Sequence, residues 1–231
     1  MTTSATPRTD PALIDALRED LTAASFRVEA VEERLGPVAA AAFGRGQTLP
    51  ARRAVAGASD PLGILVACFS LGLPTAADDL ATALPRTGVT GAVDLGIVEP
   101  HGAHVIATCD LRPHGDDLDN TWWVASDPTE HARSGPLPVD HVLGIGGASA
   151  TLASWTPRVP VGRALDLGTG SGVQALHISG HADTVVATDL SERALAFTRL
   201  NAVLNGVDGI QTRHGSLFEP VAGERSEEHT S

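Results

Sequence analysis

The chain contains no lysine: its 16 basic residues are all arginine, set against 28 acids, for a formal net charge of −12. The deficit is spread along the chain. Up to residue 160 there are 11 arginines to 19 acids, and beyond it 5 to 9. Such acidity excludes an unassisted, non-specific grip on nucleic acid, which takes a basic surface to displace counterions from phosphates. The use of arginine alone, in an alanine-rich chain, points to the codon usage of a GC-rich genome before it points to function. Cysteine is scarce as well. Cys68 and Cys109 lie far apart in apolar runs, which argues for two buried thiols in a reducing compartment and against a disulfide framework. Long apolar runs are missing too. Ile64 to Leu71 is the greasiest stretch and is far too short to span a bilayer, and Met1 to Pro7 has no apolar core of a secretory signal. These absences predict a soluble, cytoplasmic protein of one or two domains with no membrane partner.

Residues 1–139 read as a mostly helical domain. Asp10-Pro11 supplies a cap and a first-turn proline for a helix with Leu13, Ile14, Leu17 and Leu21 on one face. Val28, Val31 and Leu35 mark a second helix stopped by Gly36-Pro37, and more are expected at about 50–57, 61–71 and 76–83. Val89 to Val98 reads as one short helix, while His104 to Leu111 and Thr121 to Ala125 read as strands. Helices followed by a two-stranded ribbon, over about 60–126, resemble a winged helix in shape, without a specific motif. The second helix of that module carries Asp94 and Glu99 and no basic residue, so packing or docking of a protein is favoured over DNA binding. His101 and His104 have a metal-like spacing but sit in a turn with no cysteine nearby, and no metal is expected there. Asp116, Asp117 and Asp119 follow Pro113-His114-Gly115 and read as a solvated turn. Trp122 and Trp123 cannot share a strand face, so one belongs to the core and the other to the surface or a seam.

The chemistry concentrates in residues 164–172, Ala-Leu-Asp-Leu-Gly-Thr-Gly-Ser-Gly. An apolar run ending in Asp166 meets glycines at 168, 170 and 172, and a helical stretch from Val173 to Ile178 follows. Strand, glycine turn and helix make a nucleotide site, because glycines let the backbone come close to a ligand. A second strand run, Val185 to Asp189, ends in an acid 21 positions after Gly168, where a carboxylate accepts hydrogen bonds from both ribose hydroxyls. The dinucleotide fingerprint needs its third glycine one step later, and position 173 is Val, so that fingerprint fails.

The Gly-x-Gly-x-Gly pattern resembles the first motif of the class I S-adenosylmethionine-dependent methyltransferases. The likeness continues through Asp189-Leu190-Ser191-Glu192-Arg193-Ala194-Leu195, Asn201 to Gly206 and Gly215-Ser216-Leu217-Phe218-Glu219-Pro220. It is that of the "small methyltransferase" branch, which holds glutamine N5-methyltransferases of release factors and guanine N2-methyltransferases of ribosomal RNA. Over residues 140–224 it implies an α/β, Rossmann-like methyltransferase fold, incomplete at its first three strands, behind the winged-helix-like domain. It implies S-adenosyl-L-methionine as cofactor, and a release-factor-like protein or RNA or DNA as acceptor. In this resemblance Gly168, Gly170 and Gly172 allow close approach of the cofactor, Asp189 takes the ribose, and Thr169 and Leu190 are further cofactor-binding positions. Asp166 stays ionised near the cofactor amino group, and Ser216 with Leu217 borders the adenine. Relatives often have an acid where this chain has Ser216. His141 to Ser149 stands where relatives close a segment over the methionine end; closure through glycine backbone and a plain interdomain link both fit it.

The branch's Asn-Pro-Pro-aromatic motif, which aims the acceptor nitrogen, does not occur here, so the catalytic residues are unknown. Arg225-Ser226-Glu227-Glu228-His229-Thr230-Ser231 is the translation of a short-read sequencing adapter. These residues are therefore expected to be an artefact, with a longer natural protein and an inactive stretch in hand. Without a fourth strand, the first strand, Ala164 to Leu167, is expected to keep one unpaired edge and to favour aggregation. The leading expectation is methyl transfer to an amide or exocyclic amine nitrogen. A non-catalytic cofactor-binding or docking protein and a winged-helix regulator are the alternatives.

Overall fold

The computed structural model describes residues 6–129, 132, 137–224 and 228–230, the last three by their backbone alone. Arg225, Ser226, Glu227 and Ser231 of the tail lie outside the described residues. The chain divides into two compact units, Met1–Trp123 with Asp127–Leu137, and Val124–Ser126 with Pro138–Ser231.

The first unit opens as its caps dictate. The Asp10 carboxylate accepts the Leu13 N–H at 3.1 Å and Pro11 begins α1 (Pro11–Ala23). Ile14, Leu17 and Leu21 are buried, and so is Asp20 on the same helix. α2 (Val28–Leu35) stops at Gly36, but Pro37 at once opens a helix that the sequence reading did not anticipate, α3 (Pro37–Gly44). Gly36-Pro37 is thus an end and a beginning together: proline suits a first helical turn, and the alanines behind it propagate well. α4 (Thr48–Ala54) and α5 (Pro61–Leu65) follow, α5 running into a π-helical turn at Val66–Ser70. β1 (Thr75–Ala76), α6 (Ala77–Ala83) and α7 (Gly88–Asp94) come next.

The helix expected over Val89 to Val98 is therefore shorter, and its last residue already starts β2 (Val98–His101). The single strand expected at His104 to Leu111 is two, β3 (His104–Ala107) and β4 (Asp110–Gly115). The break falls at Thr108, whose N–H and Oγ1–H donate to the carbonyls of Ile97 at 3.0 Å and Gly96 at 2.6 Å. β1, β3 and β2 form an antiparallel sheet in that order, and β4 pairs with β5 (Thr121–Ser126). From α5 to β3 the elements run helix, π-helical turn, strand, helix, helix, strand, strand, and the two-stranded ribbon is Val98–His101 with His104–Ala107 rather than the expected pair His104 to Leu111 and Thr121 to Ala125.

Local details settle several residues. His101 and His104 face each other as exposed partners across the β2–β3 turn. Asp116 accepts the backbone N–H of Leu118 at 2.8 Å and of Asn120 at 2.9 Å, an exposed self-bonded turn. Trp122 is buried with the His114 ring stacked on it at 6.0 Å. Trp123 is half-buried rather than exposed, because its Nε1–H finds the Phe26 carbonyl at 2.6 Å. Cys68 and Cys109 are separate buried thiols, and burial pushes the Cys68 thiol up to about 12. A disulfide-exchange reagent at mildly alkaline pH should accordingly label neither thiol in the native protein and both after denaturation. Labelling of either one before unfolding would contradict this burial.

The second unit is a parallel sheet with helices in its crossovers: β6 (Val161–Leu167), α9 (Val173–Ile178), β7 (Ala182–Asp189), α10 (Glu192–Leu204) and β8 (Ile210–His214). α8 (Gly147–Trp155) precedes them. Ala164, Val185 and Ala187 from the strands and Ala175 and Ile178 from α9 make the core, their small side chains letting helix and sheet approach closely. Ser191 caps α10 through its Oγ, which accepts the Ala194 N–H at 3.2 Å, and the apolar residues Ala194, Leu195, Phe197 and Leu200 are all buried. The strand order is β8-β7-β6-β9, with β9 (Glu228–Thr230) pairing in parallel against Ala164 to Asp166. This differs from the expected bare edge of β6: three residues of extended backbone suffice to pair with it.

Candidate cofactor site

Parallel pairing of β6 with β7 brings the two chain reversals that follow them to the same end of the sheet. Leu167 is in register with Thr188, so the glycine turn and Asp189 begin side by side. The Thr188 carbonyl fastens the turn by accepting the N–H groups of Gly168 at 2.8 Å and Thr169 at 2.9 Å. Gly168, Gly170 and Gly172 have φ of 71°, 56° and 83°, a region that strains any residue with a Cβ.

The three glycines nevertheless serve two ends. A Cβ at Gly168 or Gly170 would meet nothing within 4 Å, so both border open space. A Cβ at Gly172 would lie 2.9 Å from Thr198 Cγ2 and 3.1 Å from its Cα, so Gly172 is closed against α10. Gly172→Ala should therefore cost about 2–4 kcal/mol of stability, part strain and part overlap, in chemical denaturation. Gly170→Ala should cost only the strain. Equal losses at the two positions would refute the division, and truncating Thr198 should not rescue Gly172→Ala because a backbone atom is also in the way.

The two acids are held differently. Asp166 is 2% exposed and its Oδ2 accepts the Thr169 hydroxyl at 2.6 Å. Asp189 is half-buried; its Oδ2 accepts the Gly170 N–H at 3.0 Å and its Oδ1 the Ser191 N–H at 2.8 Å. Each carboxylate oxygen has two acceptor directions, so these two backbone bonds aim the Asp189 carboxylate without exhausting it. Across the strand ends, a ring nitrogen of His214 lies 2.9 Å from the Leu190 carbonyl, and Asp189 is in register with His214. Leu190 and Leu217 are exposed, as is Phe218, and Leu217 holds a φ of 48°, rare for a leucine. Ser216 is half-buried, and its N–H points at Glu219 Oε2 from 3.4 Å. Asp166, Thr169, Gly168, Gly170 and Asp189 thus share the carboxyl ends of β6 and β7, with Leu190, Ser216 and Leu217 following β7 and β8.

Three polar side chains that brace this turn went unread in the sequence. Thr198 Oγ1–H donates to the Gly170 carbonyl at 3.1 Å. Asn201 is fully buried: its Nδ2 donates to the carbonyls of Ser171 and Ala125 at 2.8 Å each, and its Oδ1 accepts the Ala125 N–H at 2.8 Å. The usable signal was an asparagine inside a helix, a poor helix former unless its amide is engaged. Gln174 Nε2–H donates to the Ser149 carbonyl at 2.7 Å, which ties the start of α8, and with it the glycine-rich His141 to Ser149 stretch, to α9. Among the described residues there is no group of three or more His, Cys, Asp and Glu able to hold a metal ion, and no helix long and apolar enough to cross a membrane.

A strand–glycine turn–helix unit with a carboxylate on the neighbouring strand end is the site of a Rossmann-like nucleotide-binding domain. Residues 144–227 match the model of the methyltransferase small domain, and residues 23–108 match a domain of unknown function (DUF7059). A release factor glutamine methyltransferase of Deinococcus radiodurans is 43% identical over 68 residues, 29% of this chain and 24% of that protein. One from Aliivibrio fischeri is 38% identical over 60 residues, 25% of this chain and 21% of that protein. A ribosomal protein L11 methyltransferase of Lactobacillus johnsonii is 35% identical over 84 residues, 34% of this chain and 27% of that protein. The matched stretches thus span about a quarter or less of the first two relatives' length. Over residues 144–227 the second unit is thus similar to the methyltransferase small domain, and the relatives it matches there are named methyltransferases.

Proposed function

We propose that the second unit binds S-adenosyl-L-methionine and that the natural protein transfers its methyl group to an amide or exocyclic amine nitrogen, of a glutamine side chain or a nucleobase. The observation that carries the reading is the Asp189 carboxylate, aimed by Gly170 and Ser191 beside two glycines that border open space. The residues fit the cofactor. Asp189 would take the ribose hydroxyls, the bare backbone at Gly168 and Gly170 would admit the ligand, and exposed Leu190 and Leu217 would flank the adenine beside Ser216. Asp166 would set its charge near the amino group, with Thr169 holding that carboxylate in place. When bound, the cofactor supplies a methyl group already activated on a sulfonium, so the protein's task is positioning more than acid–base work.

The acceptor class is supported by the names of the release-factor relatives. The first unit, with no basic residue on α7, is proposed to recruit that acceptor, in the cytoplasm. Since Asn-Pro-Pro-aromatic does not occur in the sequence, the 231-residue chain is proposed to bind cofactor without turnover. Titration calorimetry with S-adenosyl-L-homocysteine tests the first part: binding is expected, with none for NAD. Absence of heat with the homocysteine compound would sink the reading. A read of the gene downstream of the Glu224 codon tests the second. If the gene runs on through a strand into the Asn-Pro-Pro-aromatic motif, methyl transfer to release factor or ribosomal RNA is assayed on the full product; a stop codon after Ser231 would favour the non-catalytic reading. Transfer to neither would overturn the acceptor class.

A further inference from the structure

In the first unit, α2, α3 and β4 leave a hollow of about 140 Å³ between them. Val31 and Leu35 of α2 and Ala40 and Phe43 of α3 give it apolar walls, and Glu32 and Arg112 border it as its charged members. The hollow is too small for a nucleotide, but a cavity of about 150 Å³ holds a benzene ring, so the space suits one large apolar side chain.

Arg112 is held from one edge and one face. Its Nε–H donates to Asp110 Oδ1 at 2.6 Å, and its Nη2 donates to the other oxygen of that buried carboxylate and to the Ser70 carbonyl at 3.4 Å. The Phe43 ring lies against the guanidinium, 4.7 Å from its Cζ. Nη1 is left without a hydrogen-bond partner among the described residues, and protein atoms do not seal it off. It is therefore the donor that Arg112 offers to the hollow. The Arg112 charge is already balanced by Asp110, and the exposed Glu32 repels anions, so the acceptor that suits Nη1 is a neutral carbonyl.

We propose that this hollow docks a protein segment in which a large apolar residue stands next to a basic one. The apolar side chain fills the hollow, a backbone carbonyl beside it accepts from Arg112 Nη1, and the basic side chain pairs with Glu32 at the rim. The site rests on the recruiting role proposed above for the first unit, and not on cofactor binding.

The test uses three N-acetylated, C-amidated tetrapeptides on the whole 231-residue chain, followed by the amide shifts of the isotope-labelled protein. Gly-Arg-Phe-Gly should bind at millimolar concentration or below and shift amides of α2 and α3. Gly-Arg-Ala-Gly leaves the hollow empty and should bind at least about tenfold more weakly, the scale of one buried aromatic side chain. Gly-Glu-Phe-Gly should also be weaker, and Glu32→Arg, a change at an exposed position, should reverse the order of the two phenylalanine peptides. Ala40→Phe fills the hollow from within, leaves the Arg112–Asp110 pair alone and should abolish the shifts. No binding, equal binding of the phenylalanine and alanine peptides, or an unchanged order in Glu32→Arg overturns the site. The same amides shifting with oligouridylate instead, or on concentrating the protein alone, would give the surface to RNA or to a second copy and overturn it too. In each of those cases recruitment by another face survives, and methyl transfer by the full gene product tests it separately.

Discussion

Replacing Asp189 with alanine is expected to weaken S-adenosyl-L-homocysteine binding by at least about a hundredfold. Two bonds from ribose hydroxyls to a carboxylate would vanish, each worth about 1.5–3 kcal/mol as a bond to a charged group. The loss reaches further, because the same carboxylate holds Gly170 N–H and Ser191 N–H, the first in the turn and the second at the cap of α10. Without it the glycine turn loses the acceptor that aims it, and the ligand must order the loop as it binds. Asp189→Asn is expected to fall between: one acceptor oxygen survives, but an amide NH2 then faces one of the two backbone donors. Calorimetry gives the affinities, and circular dichroism should show both variants folded. An affinity for the alanine variant within threefold of the original would remove Asp189 from the site.

The largest effect on folding is expected at Asp20, in the first unit. Its side chain is 1% exposed and accepts Thr87 N–H at 2.8 Å, the Thr87 hydroxyl at 2.8 Å and Arg86 N–H at 3.1 Å. A residue of α1 thereby caps the start of α7, 67 positions away, in a role that the α7 cap residue Thr87 does not fill with its own side chain. Asp20→Ala leaves those donors unpaired in the interior and should cost about 3–5 kcal/mol, the scale of breaking a buried charged network. Asp20→Asn keeps an acceptor and should cost less. Arg86→Ala should cost under about 1 kcal/mol if its backbone N–H stays in place, because its guanidinium is half exposed. Denaturant unfolding followed by fluorescence of Trp122 and Trp123 reports on this unit, and a loss below about 1 kcal/mol at Asp20→Ala would show that the cap is dispensable.

Legibility in the sequence followed the range of the interaction. Asp10-Pro11, Gly36-Pro37 and Ser191 act within one helical turn, and each marks a helix end in the structure. The apolar runs into Asp166 and Asp189 are strands for an equally local reason, and the glycines between strand and helix carry their backbone angle with them. α3 was missed because the same two residues that end one helix start another, a choice that neighbouring sequence leaves open. The strand over His104 to Leu111 was read as one because nothing nearby shows Thr108 turning toward Gly96 and Ile97.

The sequence by itself therefore determined the strand–turn–helix unit, the acid that partners it and the family likeness, since each is written in residues a few positions apart or in a fixed spacing. Only the tertiary structure decided which glycine faces open space and which is closed on Thr198, and that Gln174 keeps a buried oxygen without a donor. It also decided that Asn201 joins Ser171 to Ala125, 76 residues away in the chain. Those outcomes depend on where α10, α8 and the end of β5 come to rest. That is settled by burial of apolar surface and satisfaction of buried polar groups over the whole second unit, a sum that no local pattern contains.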